Sequence, residues 1–479
     1  MLKPQTALNE FVLRVPWFKR LWIIQEVALS QSATLVFGAA EASLSEIERA
    51  RDILGLCADR DDSPFAVEAS SALWNLFATQ ALAVKMLGSR WDRGIPVPPD
   101  MAVSAFLEEA RFSDASNAKD KILGLYGLLK ESGVELPAPD YSKSTATIFR
   151  EAAIAVISAT DSLRVLEQVD GLGSTADLAS WVPDWAATKH ALGQGRDTCP
   201  ADSPTKAWYH FDHNGQTLVL RGIKVDTISR RSESCFMHAS EQVGKPEDYC
   251  QWTRNPGMGD LAWQQLLERH PERSFTILSL WNMRVLDDFV RTALQGEQPV
   301  DAGEEDIQAL FWSLVSTTAV ESNRKHEPHA RHFFQALTTT NTREDNDLRT
   351  VDETWLRLRS GGLDLTFPGD MLPLLDGQEY RTLQRLSCNT AHRRMRDDIA
   401  RIRYKTVFKT AAGRTGVAPC GVQEGDEIVL CAGARVPMVC RPTGNGGERM
   451  LVANAHVHGI MHGEAWPSDH AMLEDIVLR

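Results

Sequence analysis

The stretch GDEIVLCAGARVPMVCRP, residues 425–442, reads as two short strands joined by a Gly-containing turn. Strand residues two apart share a face, so alternating apolar positions can line one side of a sheet. The neighbours read the same way. KTVFKTAAGRTGVAP at 405–419 and RMLVANAHVHG at 449–459 are short alternating segments. TGNGGE at 443–448 carries a hairpin signal. The C-terminus is therefore expected to be a small antiparallel β unit.

Working upstream, QTLVLRGIKVDTISRRS at 216–232 alternates like a strand pair or one long bent strand, after a polar loop at 188–206. Helical patterns dominate 245–400, with loops expected at QPVDAGEED (298–306) and TTTNTREDNDLRT (338–350). Nearer the N-terminus, helices are predicted over 68–88, 101–111, 118–130 and 145–160. Ser43 stands three residues before Glu46, the spacing of a capping box. Asp120 and Lys121 open the 118–130 helix, where an acid complements the dipole. In ASWVPDW, 179–185, two tryptophans flank a proline, which reads as an aromatic anchor. The fold expected is α+β and mainly α. Four divisions follow, at 1–187, 188–244, 245–400 and 401–479.

The N-terminal WFKRLWIIQEVALSQSATLVFG, 17–38, combines an amphipathic helix at 17–30 with a short strand closed by Gly38. Trp22 and Glu26 are four apart, one turn above each other. A carboxylate held against an indole has its pKa raised, and such groups often carry chemistry. Glu26 is thus the candidate catalytic acid, with Trp22 in support.

The bulk numbers narrow the field. The 479 residues carry a formal net charge of −13, with 64 acidic against 51 basic side chains. That balance disfavours nonspecific binding to nucleic acid or anionic membrane. The densest basic run, HRRMRDDIARIRYK at 392–405, is interrupted by Asp397 and Asp398 and reads as a solvated helix face. The eight cysteines form no C-x-x-C pair, so they read as buried reduced thiols. There is no secretory signal and no apolar run of membrane-spanning length, which points to a cytoplasmic protein. Nucleotide-binding and hydrolase fingerprints are missing. HVHGIMHGE at 456–464 is the most tempting metal motif. No regular element unites His456, His458, His462 and Glu464, so no metal site is assigned.

Several pieces in this order resemble the fungal heterokaryon incompatibility (HET) family. They are WFKRLWIIQEVALSQSATLVFG, NAKDKILGLYGLL (117–129), PDYSKSTATIFREAA (139–153) and LASWVPDW (178–185), then FKTAAGRTGVAP (408–419), residues 425–442 and ANAHVHGIMHGEA (453–465). Arg20, Trp22, Gln25 and Glu26 fall on an aromatic-x-R-x-W-x-x-Q-E pattern. Asp120, Trp181, Asp184, Trp185, Gly425, Asp426, His458 and Gly459 fall on further family positions. Ala179 stands where the family usually has Pro. The family's opening "ALSY-x-W-G"-like and "W-I-D-x-x-C-I-N-Q"-like segments are missing, so the chain is expected to be an N-terminally truncated member.

The resemblance implies self/non-self recognition between hyphae, ending in cell death. It also implies a TIR-like α/β remnant at the N-terminus. Some TIR domains cleave NAD with a glutamate in a W-x-x-x-E arrangement, the spacing of Trp22 and Glu26. NAD would then be a substrate, and no cofactor is implied. Positioning supplies much of a catalysed rate, and the strands that would form the binding crevice are missing. The expectation is a signalling protein without catalytic activity, with NAD glycohydrolase and an inactive paralogue as the alternatives. Its partners are expected to be other proteins, with self-association through an apolar helix face exposing Trp17, Leu21 and Trp22.

Overall fold

The computed structural model describes residues 20–46, 98–187, 201–232 and 405–479, apart from positions 31, 33, 38–39, 44–45, 172, 174, 203–204 and 445–446. The chain divides into two compact units. The first comprises 1–169, 173–189 and 211–218, and the second 170–172, 190–210 and 219–479.

The first unit is helical. Helix α1, Trp22–Ala28, buries Ile23, Ile24 and Val27. It leads to the antiparallel hairpin β1, Thr34–Phe37, and β2, Ala40–Ser43. Ser43 and Glu46 form the expected capping box. The serine backbone N–H donates to the carboxylate at 2.8 Å, and the glutamate N–H donates back to Ser43 Oγ at 3.3 Å. Helix α2, Pro99–Phe112, starts with Pro in its first turn, where a missing N–H costs nothing. Helices α3, Asp120–Leu123, and α4, Tyr126–Glu131, meet at Gly124. A Cβ there would stand 2.9 Å from Leu21 Cδ2, so only glycine lets the chain pass this close. Helix α5, Thr145–Thr160, is capped by Ser144 Oγ, which accepts the Thr147 N–H at 3.1 Å. It ends at Asp161 in the left-handed conformation, with φ at 49°. Its buried stripe runs from Ala146 and Phe149 through Ala153 to Val156 and Ile157.

Strand β3, Tyr209–Phe211, pairs with β4, Leu218–Arg231. The second unit then adds β5 (Lys405–Thr410), β6 (Thr415–Pro419), β7 (Glu427–Cys431), β8 (Met438–Pro442), β9 (Glu448–Asn454), β10 (His456–Val457) and β11 (Glu474–Leu478). The strand order is β10-β6-β5-β4-β11-β9-β8-β7, and β7 also pairs with β4. That last pairing closes β4, β11, β9, β8 and β7 into a ring, which leaves those strands no free edge. One long strand serves both halves of the sheet. Gly222–Thr227 of β4 pair with β7 and Ile228–Arg231 with β5, with register shifts at Lys224/Asp226 and Ile228/Arg230. The core holds Phe408, Val422, Ile428, Leu430, Val439, Ala453 and Val457.

The structure corrects the expected fold class. Among the described residues strand (29%) exceeds helix (26%), so the protein there is not mainly α. One cause is visible: the C-terminal EDIVL adds β11, parallel to β9, with no pattern long enough to announce it, while the strand expected at 216–232 is present as the single strand Leu218–Arg231. The N-terminal strands form only a two-stranded antiparallel hairpin, so no TIR-like parallel sheet is built among the described residues. The expectations for 68–88 and 245–400 lie outside the described residues, as do the loops at 298–306 and 338–350 and the first three residues of the 17–30 helix. No described helix is long and apolar enough to cross a membrane.

Candidate functional site

The helix bearing Glu26 packs by its opposite face. Leu21 and Ile24 are fully enclosed, while Trp22 is 37% exposed and Glu26 is exposed. Part of the expected apolar face is therefore buried, since Leu21 seats against Gly124; Trp17 lies outside the described residues. Arg20 forms an isolated parallel bridge with Asp114, and the Leu21 N–H donates to Asp114 O at 3.0 Å. Gln25 takes a structural role. Its Oε1 accepts the Gly127 N–H at 2.9 Å, pinning α1 to α4. The one-turn spacing does bring Trp22 and Glu26 to the same solvent-facing side, but it does not place the carboxylate in an apolar recess.

The neighbouring pair Asp120 and Lys121 splits in two directions. Asp120 Oδ1 accepts the Tyr141 hydroxyl at 2.6 Å, which pushes the Tyr141 pKa up to about 12. Lys121 is buried and closes the C-terminus of α2. Its Nζ donates to Ala110 O at 2.9 Å, to Arg111 O at 3.1 Å and to Ser113 O. A cation among the orphan carbonyls of a helix end is favourable. Burial pushes the ammonium pKa down to about 8, the Asp114 charge opposing it. Lys121→Met keeps the stem but removes these donors. It is expected to lower unfolding free energy by about 1–3 kcal/mol, read by urea denaturation.

The W-V-P-D-W residues form the polar framework of the first unit. Trp181 Nε1 donates to Gln216 O at 3.0 Å, and Trp185 Nε1 to Gln168 Oε1 at 2.8 Å. Asp184 accepts from the Thr175 N–H at 2.9 Å, the Thr175 hydroxyl at 2.8 Å and the Ala186 N–H at 3.0 Å. A Cβ at position 173 would fall 2.5 Å from Asp184 Cβ, so Gly173 makes this turn possible. Sequence reading missed Gln168 and Lys121 as hubs, because a lone polar residue amid helical patterns gives no signal of what it will cap.

In the barrel, Gly425 takes a positive φ of 90° and delivers Asp426 inward. Asp426, almost fully buried, makes a two-pronged pair with Arg441. Nε donates to Oδ1 at 2.8 Å and an Nη to Oδ2 at 2.9 Å. The Gln423 N–H adds a bond at 2.7 Å. Glu427 bridges Lys224 at 2.7 Å and Arg449 at 2.8 Å. Burial pushes its carboxyl up, but these two cations outweigh burial and hold it below the usual range. Cys431 and Cys440 are free and buried, and burial pushes the Cys440 thiol up to about 12. They are poor nucleophiles.

The histidines separate. His456 is buried on β10, while His458 and His462 are exposed. The His458 N–H donates to Thr415 O at 2.9 Å, and Gly459 turns the chain with φ at 83°. Glu464 accepts the His462 backbone N–H at 2.7 Å. Among the described residues no group of three or more His, Cys, Asp or Glu could hold a metal ion. Lys405, the last residue of the basic run, is buried in β5.

Residues 380–477 match the Het-6 beta-barrel domain family, a span that contains β5 to β10 and most of β11. The whole chain is also similar to "Heterokaryon incompatibility protein 6, OR allele" of Neurospora crassa. The two are 25% identical over 528 residues, covering 100% of this chain and 68% of the relative. No solved structure matches. Residues 380–477, which supply β7, β8, β9 and most of β11 to the closed ring, thus resemble a Het-6 beta-barrel domain, and the chain as a whole is similar to a heterokaryon incompatibility protein.

Proposed function

We propose that this protein acts in vegetative incompatibility in a filamentous fungus, in self/non-self recognition that ends in cell death. The observation that carries the reading is the barrel: a Het-6 beta-barrel match lies on a closed ring of strands, within a match to an incompatibility protein along the full chain. The working mode is contact with other proteins, second copies of this chain included, in the cytoplasm. Nucleic acid is not a partner on this reading, given the net charge of −13. No cofactor is required.

Catalysis is not part of the proposal. Glu26 makes no hydrogen bond or ion pair among the described residues, and Trp22 beside it faces outward. An exposed carboxylate that no described residue walls in neither orients a substrate nor excludes water. The test is overexpression of the chain and of Glu26→Gln in a filamentous host, with viability scored. Both are expected to stop growth equally, and the purified protein is expected to release no nicotinamide from NAD. Normal growth would remove the cell-death role and leave the inactive paralogue. Nicotinamide release that disappears in Glu26→Gln would establish the glycohydrolase instead.

A further inference from the structure

The barrel carries one titratable group that nothing in the family reading uses. His456 is 6% exposed, and its Nδ1 is buried with no hydrogen-bond partner. It lies on β10, a strand of two residues held by β6 alone, with His456 opposite Val417 and Val457 opposite Gly416. The charged groups that act on its ring are Lys405 from β5, then His458 and His462 from the segment that follows. All are basic. The intervening strand β6, TGVAP, carries no ionisable side chain. A proton added to this ring while β10 is docked would therefore meet burial and like charge together, with no carboxylate among the described groups that act on it.

The start of the segment beyond β10 is tied back by backbone bonds, and its far end is fixed to β4, where Leu473 O accepts from Arg221 Nη2 at 2.6 Å. His458 N–H donates to Thr415 O at 2.9 Å, Ile460 N–H to Val457 O at 3.3 Å, and Val457 N–H to Met461 Sδ at 3.3 Å. Trp466 packs against the barrel core with a buried, unpartnered Nε1. β10 has a neighbour on one side only, so it opens ahead of the closed ring beside it, although Val457 and Ile460 must leave the barrel core with it.

We propose that β10 and the following residues 458–472 form an acid-released latch on the barrel, with His456 as its trigger. When the ring takes a proton, β10 leaves β6, carrying His456 to water and freeing residues 458–472. The charge is then solvated and separated from Lys405. The sign follows from linkage. Burial first, and then Lys405, push the docked His456 down to about 3 from 6.5. The released segment binds the proton near the ordinary value, so release is favoured as pH falls below about 6.5 and saturates near the docked value. Each pH unit in that window raises the opening equilibrium about tenfold.

Backbone hydrogen exchange on the full chain, corrected for intrinsic rates, tests this between pH 6.5 and 5, above the range where ordinary carboxylates titrate. Protection at His458 and Ile460 is expected to fall about tenfold per pH unit, while the β8–β9 amides stay protected. His456→Gln is expected to flatten the pH dependence, and His458→Gln and His462→Gln to keep it. An equal slope in His456→Gln would overturn the proposal. So would loss of protection across the whole barrel at once, since that is unfolding rather than release. If His456→Gln does not fold, the wild-type imidazole resonance decides. Titration of His456 near 6.5 with protection at His458 unchanged would also overturn it.

Discussion

Arg441→Ala is expected to destabilise the barrel by about 3 kcal/mol, the lower end of the range for breaking a buried ion pair. The reason lies in what is left behind. Asp426 is 2% exposed at its side chain, and among the described residues Arg441 supplies two of the three hydrogen bonds its carboxylate accepts. Without the guanidinium, a carboxylate remains in the barrel wall with one backbone donor, the Gln423 N–H. The guanidinium itself is 31% exposed, so its own desolvation is partial and the loss is not the largest of its kind. Arg441 also donates to Gly421 O at 3.0 Å, which holds the turn leading to β7. Denaturant titration of the variant measures the loss. Replacing both partners, as Asp426→Leu with Arg441→Met, should recover more than half of it, because no uncompensated charge is then buried. A double variant no better than Arg441→Ala would show that the turn, not the charge, is what the pair maintains.

That pair also marks how far the sequence could be read. Strands at 405–419, 425–442 and 449–459 were visible from alternation, and the Gly425–Asp426 pair just before β7 was singled out. The helices at 101–111, 118–130 and 145–160 were visible too, from apolar periodicity. What stayed hidden was long-range pairing. Nothing in QTLVLRGIKVDTISRRS says that its first half pairs with β7 and its second with β5 across nearly two hundred residues. A strand that bends through two register shifts looks, in one dimension, like two strands. β11 is short, lies between β4 and β9 and runs parallel to β9, so no hairpin signal precedes it. At the candidate site, the spacing of Trp22 and Glu26 was legible, and both do face the same way. Spacing along one helix cannot report what stands opposite that helix, and α1 turns its other face inward. Gln25 was noticed for its company and not for its partner, the Gly127 N–H.

Trp185→Ala is expected to cost about 3–5 kcal/mol in the first unit, the range for emptying a buried tryptophan site. Three separate supports are lost at once. The indole is fully buried. It meets Phe149 of α5 edge to face, with ring centroids 5.3 Å apart and planes at 79°. Its Nε1 donates to Gln168 Oε1 at 2.8 Å, and Gln168 in turn donates to Ser104 O at 2.7 Å and accepts from Arg111 at 2.8 Å through its own carbonyl. Trp185→Phe separates these effects. It keeps most of the apolar contact but leaves a buried amide oxygen without its indole donor, for about 1–3 kcal/mol. The pair of variants also decides what the second tryptophan of SWVPDW is for. If the segment anchors α2 and α5, as its bonds indicate, growth arrest on overexpression should track stability across wild type, Trp185→Phe and Trp185→Ala. A Trp185→Phe protein that keeps nearly full stability yet loses all growth arrest would place a ligand, rather than a helix pair, against this indole.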